Sequence, residues 1–105
     1  MKNQAHVVVI GGGVVGVGTL YGLVLRGCAD CVLLERRELT SGSTWHAAGL
    51  LPLFNMSYSV GQIHKYSVNL YGRLEEETGQ HVGFRRVSNI RLARTKDRWD
   101  EYQYY

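Results

Sequence analysis

Proline is nearly absent: one residue in 105. A chain so poor in proline is neither a proline-rich linker nor an extended polyproline module. Cysteine is scarce as well, with only Cys28 and Cys31 present, so no disulfide scaffold can form and no second pair completes a zinc site. A redox Cys-x-x-Cys opens a helix, where the dipole lowers the thiol pKa. This pair instead follows a helix end at Gly27, and Cys31 begins an apolar run. Both are expected as structural thiols in a reducing, cytoplasmic setting. Charge of one sign is also thin, at +3 net. The basic residues from Arg85 to Arg98 alternate with apolar positions, as on a solvated sheet face. They lack the dense stripe and stacking aromatics of a nucleic-acid surface. The apolar run from Val7 is interrupted by Gly11, Gly12, Gly13, Gly16, Gly18 and Gly22, which argues against a membrane span; no small-residue cleavage site follows it. Neither a nucleic-acid nor a membrane partner is expected.

What remains is the balance of a globular protein, 45% hydrophobic and 20% charged, with room for one small domain. His6 to Ile10 is a short apolar run rich in Val and Ile, the pattern of a strand buried on both faces. Glycines follow, then Val14 to Arg26 reads as a helix apolar almost all round, with Gly27 as its stop. Gly18 and Gly22 weaken this helix by about 1 kcal/mol each relative to Ala, which packing is expected to offset. Cys31 to Leu34 is a second apolar run ending on Glu35. Strand, glycine turn, helix and strand make one βαβ unit with a right-handed crossover. Further on, Ile63 to Thr78 has helical periodicity, with Ile63, Tyr66, Leu70, Tyr71 and Leu74 on one face, and Gly79 as its end. Glu75 to Glu77 oppose the dipole there and need solvent or partners. Ser88 to Ala93 alternates as a half-exposed antiparallel strand, and Lys96 begins another helix. His6, His64 and His81 show no ligand spacing.

The chemistry lies in Gly11-x-Gly13-x-x-Gly16. That spacing alone is weak, but a strand precedes it, a helix follows it and an acid ends the next strand. Gly11 permits the tight turn, Gly13 lets backbone approach a pyrophosphate, and Gly16 lets the helix pack against the strand. The helix start offers unpaired N–H groups and a positive dipole end. Glu35, nineteen residues after Gly16, can accept both ribose hydroxyls of an adenosine and would repel a 2′-phosphate, against NADP. NAD and FAD fit these features equally. A hydroxyl-rich loop, Ser41 to Thr44, then leads into Trp45-His46-Ala47-Ala48-Gly49-Leu50 only a few residues later. It can fold its N–H groups and hydroxyls toward the phosphates and ring end of a longer cofactor, which favours FAD. Ser43 or Thr44 can equally serve as a helix N-cap.

Val7 to Glu35, followed by Glu38-Leu39-Thr40-Ser41-Gly42-Ser43-Thr44-Trp45-His46-Ala47-Ala48-Gly49-Leu50, resembles the N-terminus of the dimethylglycine and sarcosine dehydrogenase family, flavoenzymes of the D-amino-acid-oxidase-like superfamily. Leu74 to Gly79, Ser88 to Ala93 and Asp100 to Tyr102 resemble it too. The resemblance implies an α/β, Rossmann-like FAD/NAD(P)-binding fold, incomplete here. Residues 1–105 would be the N-terminal portion of an FAD-binding oxidoreductase domain, with the substrate domain absent and the catalytic residues beyond residue 105. The expected cofactor contacts are Gly11, Gly13, Val14, Val15 and Gly16 at the turn, Glu35 and Arg36 after the second strand, and Ser43, Thr44, His46, Ala48, Gly49 and Leu50 in the loop. His46 matches the histidine that carries the flavin through its 8α-methyl carbon in this family.

The implied reaction is oxidation of the C–N bond of a small N-methylated amine, with hydride passing to FAD. The product iminium is hydrolysed or passed to tetrahydrofolate, and electron-transfer flavoprotein or oxygen is the acceptor. Two alternatives stay open: an inactive truncated fragment, and an NAD-binding Rossmann module. Leu20 departs from the pattern, standing where such helices commonly carry Ala.

Overall fold

In the computed structural model, residues 3–104 are described, and they form two compact units divided between Gly49 and Leu50. The first unit contains strand β1 (Val7–Ile10), helix α1 (Val14–Leu25) and strand β2 (Cys31–Leu34). The strands pair in parallel, Val7 opposite Cys31 and Ile10 opposite Leu34. These bounds follow from the residues. Val and Ile favour the pleated strand. Gly11, at φ 108°, turns the chain off β1 in a conformation open to glycine. Gly27, at φ 84°, stops α1, its N–H donating to the Val24 carbonyl at 2.9 Å.

The expected burial of β1 on both faces is not found. Val7 and Val9 are half-buried on one face, whereas Val8 and Ile10 on the other are 50% and 85% exposed. The single helix of a βαβ unit covers one face, and no described element of this unit covers the second. For the same reason α1, apolar all round, keeps Val14, Val15, Val17, Val24 and Leu25 exposed. The packing expected to offset Gly18 is also missing, since a Cβ there would meet nothing within 4 Å. Cys31 Sγ donates to the Cys28 carbonyl at 3.0 Å, and no disulfide joins the two.

The second unit is built on helix α2 (Tyr58–Thr78), which starts five residues before the expected Ile63 because the Ser57 hydroxyl caps it, accepting from the Val60 N–H. Its inner stripe is His64, Val68, Tyr71 and Leu74, with Val68 only 7% exposed. Ile63 and Tyr66, placed on that face from the periodicity, are instead 63% and 57% exposed. A hydrogen bond between His64 Nδ1 and the Pro52 carbonyl (2.6 Å) and the stacking of Tyr71 on Phe84 fix the roll of the helix. The terminal glutamates find partners: Glu75 meets His81 Nδ1 at 2.9 Å and Glu77 meets Arg73 Nε at 2.7 Å. Gly79, at φ 68°, ends α2 as expected.

Residues 88–93 do not form the expected strand. A strand exists only as a member of a ladder, and no described segment lies alongside this one. Its inward contact is polar: Arg91 sits over the Phe54 ring, 4.2 Å from the centroid, while the flanking Ile90 and Leu92 are 85% and 82% exposed. Helix α3 (Lys96–Tyr102) begins where expected, with the Thr95 hydroxyl accepting from the Arg98 N–H. Tyr102 meets Phe54 edge to face. Among the described residues no helix is long and apolar enough to cross a membrane.

Candidate functional site

The glycine turn, the start of α1, the end of β2 and the loop through Ala47 enclose one open cleft of about 640 Å³. Pockets for cofactors fall in the same size range. Each motif glycine has a geometric reason. Gly11 holds the positive φ of the turn. A Cβ on Gly16 would lie 1.8 Å from the Gly11 carbonyl oxygen, so only glycine lets α1 approach β1 this closely. A Cβ on Gly13 would meet the Thr44 hydroxyl at 2.9 Å and would fill the floor of the cleft.

The α1 start carries N–H groups with no partner inside the helix. Gly13, its N-cap residue, has no side chain to supply one. The hydroxyl of Thr44 takes this place, accepting from the Val14 N–H at 2.9 Å. The loop forms a short 3₁₀ turn, Ser43–His46, whose own N-cap is Gly42. Thr44 therefore caps α1, the helix across the cleft, and not the turn it lies in; Ser43 caps neither.

Glu35 is half-buried beside the turn. Its Oε2 accepts from the Gly12 N–H at 2.7 Å and its Oε1 from the Arg37 N–H at 2.9 Å. The Gly12 N–H first, and then the Arg37 N–H, hold the carboxyl below its ordinary range, with Arg36 adding a smaller pull in the same direction. It is an anion at neutral pH, with further lone pairs for donors.

Of the residues expected at the site, the structure brings Gly11, Gly13, Val14, Val15, Gly16, Glu35, Ser43 and Thr44 to the lining of this cleft. Arg36, His46, Ala48 and Gly49 do not line it, and Leu50 falls in the other unit. His46 is exposed, with Nδ1 3.1 Å from the Gly42 carbonyl and its ring tilted against Trp45 at 4.7 Å. Sequence reasoning missed Val9, Ile10, Thr19, Gly42 and Ala47 in the lining, and Gly12, Leu39 and Thr40 behind the turn. Gly12 carried a signal, being a glycine where the motif allows any residue; Leu39 and Thr40 carried none. The second unit has its own cleft, of about 570 Å³ with Lys65 and Arg86 in its wall, and none of the expected residues lines it.

A floor without side chains, helix N–H groups at one end and a carboxylate at the other suit a diphosphate joined to a ribose. Comparison with known proteins identifies the family. The chain is 54% identical to dimethylglycine dehydrogenase of Rattus norvegicus over 98% of its own length, and that match spans 12% of the relative. It is 43% identical to sarcosine dehydrogenase of Homo sapiens over 98% of the chain and 11% of the relative. It is 38% identical to 4-methylaminobutanoate oxidase (formaldehyde-forming) of Paenarthrobacter nicotinovorans over 99% of the chain and 13% of the relative. The rat and human dehydrogenases are mitochondrial, which overturns the cytoplasmic setting expected from the reduced cysteines. Compartment is set by address segments and their receptors, and thiol content does not report it. The sequence profile of the FAD dependent oxidoreductase (DAO) family matches residues 6–105, across both units, and the chain belongs to that family.

Proposed function

We propose that residues 1–105 supply the adenosine-binding portion of the FAD-binding domain in a flavoprotein that oxidises the C–N bond of N-methylated glycines or related amines. The observation that carries this reading is the Glu35 carboxylate, in the lining of the cleft and held by the Gly12 N–H at 2.7 Å. It is a fixed acceptor for ribose hydroxyls, beside a turn stripped of side chains. The likeness to dimethylglycine and sarcosine dehydrogenases supports the choice of substrate class.

When bound, FAD supplies the two-electron acceptor for the amine oxidation. This chain's residues bind and orient. Gly11, Gly13 and Gly16 keep the floor clear, and the α1 N-terminus sets a positive dipole end toward the diphosphate. Glu35 accepts from the ribose, and the Ser43 and Thr44 hydroxyls border the same space. His46 is the proposed point of covalent attachment to the flavin. Delivery of the one-carbon product to tetrahydrofolate, and of electrons to an electron-transfer flavoprotein or to oxygen, belong to the same proposal.

The test is an absorbance spectrum of the intact purified protein together with turnover of dimethylglycine, sarcosine and 4-methylaminobutanoate. A flavin spectrum bleached by one of these amines is expected. A colourless protein that binds NAD would replace this reading with a nicotinamide module, and a flavin left oxidised by all three amines would remove the substrate class.

A further inference from the structure

Gly12 fills the middle position of Gly11-Gly12-Gly13, to which the fingerprint assigns no task. It is the only described residue of the first unit that is buried. Three residues from the segment after β2 close on it. Glu35 Oε2 accepts its N–H at 2.7 Å, and its carbonyl accepts the Thr40 N–H at 3.0 Å. Leu39 covers it: a Cβ at this position would lie 2.6 Å from Leu39 Cδ2 and 3.1 Å from both Glu35 Cβ and Cγ. Thr40 makes its bond at φ 65°, a left-handed backbone rare for a β-branched residue. Such a conformation persists where surrounding contacts over-determine it, and the bond to Gly12 is one such contact.

These contacts join two parts of the cleft that meet different parts of a dinucleotide. The glycine turn faces the diphosphate, and the Glu35 carboxylate faces the ribose. We infer that Gly12, Leu39 and Thr40 form a latch that fixes the Glu35 carboxylate relative to the phosphate-facing turn, which makes Gly12 a positioning residue for recognition of the adenosine ribose. The inference rests on the reading of the cleft as an adenine-dinucleotide site. A methyl group on Gly12 must displace Leu39 and the Glu35 stem. The diphosphate surface, made by Gly13 and the α1 start, stays in place. The loss therefore falls on the ribose hydroxyls.

The test compares ADP with 2′-deoxy-ADP, by competition against FAD, in the intact protein with His46→Ala as background so that the flavin is exchangeable. The background is expected to prefer ADP by about tenfold, the scale of one hydrogen bond to a charged group. Gly12→Ala should reduce that preference to within about twofold, because the added Cβ meets the Glu35 stem as well as Leu39. A preference unchanged by Gly12→Ala overturns the latch. Should Gly12→Ala fail to fold, Leu39→Ala decides. It removes the cover over Gly12 and adds no colliding group, so the preference falls toward that of Gly12→Ala. A preference unchanged by Leu39→Ala overturns the latch. A background that binds neither nucleotide overturns the adenine-dinucleotide reading, and the latch with it.

Discussion

The hydroxyl of Thr44 accepts a hydrogen bond from the backbone N–H of Val14 at 2.9 Å, across a separation of thirty residues. A helix whose own N-cap is a glycine is thus capped from a distant loop, and the loop is held to the cleft by the same bond. Replacing Thr44 with Val keeps the shape and deletes the acceptor, which should cost about 1 kcal/mol of stability. Thr44→Ser should cost only a few tenths. Urea titration of the intact protein checks both, and a loss confined to Thr44→Ser would show that the methyl group, not the hydroxyl, matters.

Glu35 leads to a prediction in pH. Its folded pKa lies below the ordinary carboxylate value because the Gly12 and Arg37 N–H groups favour the anion. A depressed pKa means that the interaction is fully present above the unfolded value and fades as pH falls through the folded one. FAD retention should therefore be flat from neutral pH down through the ordinary carboxylate range and fall only below it. Glu35→Ala should weaken FAD binding about tenfold at neutral pH. Flavin fluorescence during dialysis, with His46→Ala as background so that the flavin is exchangeable, measures both, and retention that already drops near pH 6 would point to a histidine instead.

His46 lies exposed at the surface of its unit. With a covalent bond, yellow colour stays with the precipitate when the intact protein is treated with acid, and His46→Ala releases it to the supernatant. Colour released from the unmodified protein would end the covalent proposal and leave FAD binding untouched.

Two glycines of α1 should respond oppositely to alanine. Gly16→Ala places a methyl 1.8 Å from the Gly11 carbonyl, which forces α1 away from β1 and should cost about 3 kcal/mol or more. Gly18→Ala meets open space and should stabilise the helix by about 1 kcal/mol. Thermal unfolding of the intact protein separates them, and a destabilising Gly18→Ala would mean that something packs against that face.

Expressed alone, residues 1–105 should aggregate and bind FAD weakly or not detectably. Val8 and Ile10 are exposed on the uncovered sheet face, and a two-stranded sheet has both edges open. Size-exclusion chromatography with a flavin titration checks this; a monomer holding FAD stoichiometrically would show the cleft to be sufficient by itself.

The βαβ unit was legible because local rules coincide there. Val and Ile runs set the strands, Gly11 and Gly27 supply the conformations that end β1 and α1, and Gly16 is dictated by close packing. Where the sequence had only periodicity, it misled. Residues 88–93 alternate like a strand yet have no described partner to pair with, and the apolar spacing of α2 did not fix which face turns inward. Pairing and roll depend on what lies alongside: for α2 the Pro52 carbonyl and the Phe84 ring, for residues 88–93 the Phe54 ring beneath Arg91.

The turn, the helix start and the acid after β2 could be read from the order of residues, because each is fixed by backbone conformation or by chemistry at a set spacing. That Thr44 caps α1, that Glu35 reaches back to Gly12, and that Leu39 and Thr40 close over the turn came from packing in three dimensions. Those contacts join residues more than twenty positions apart. A hydroxyl, a carboxylate or a leucine in a loop carries no mark of the N–H or glycine it will meet; the partner is chosen when the strands align in register and bring the loop over the turn.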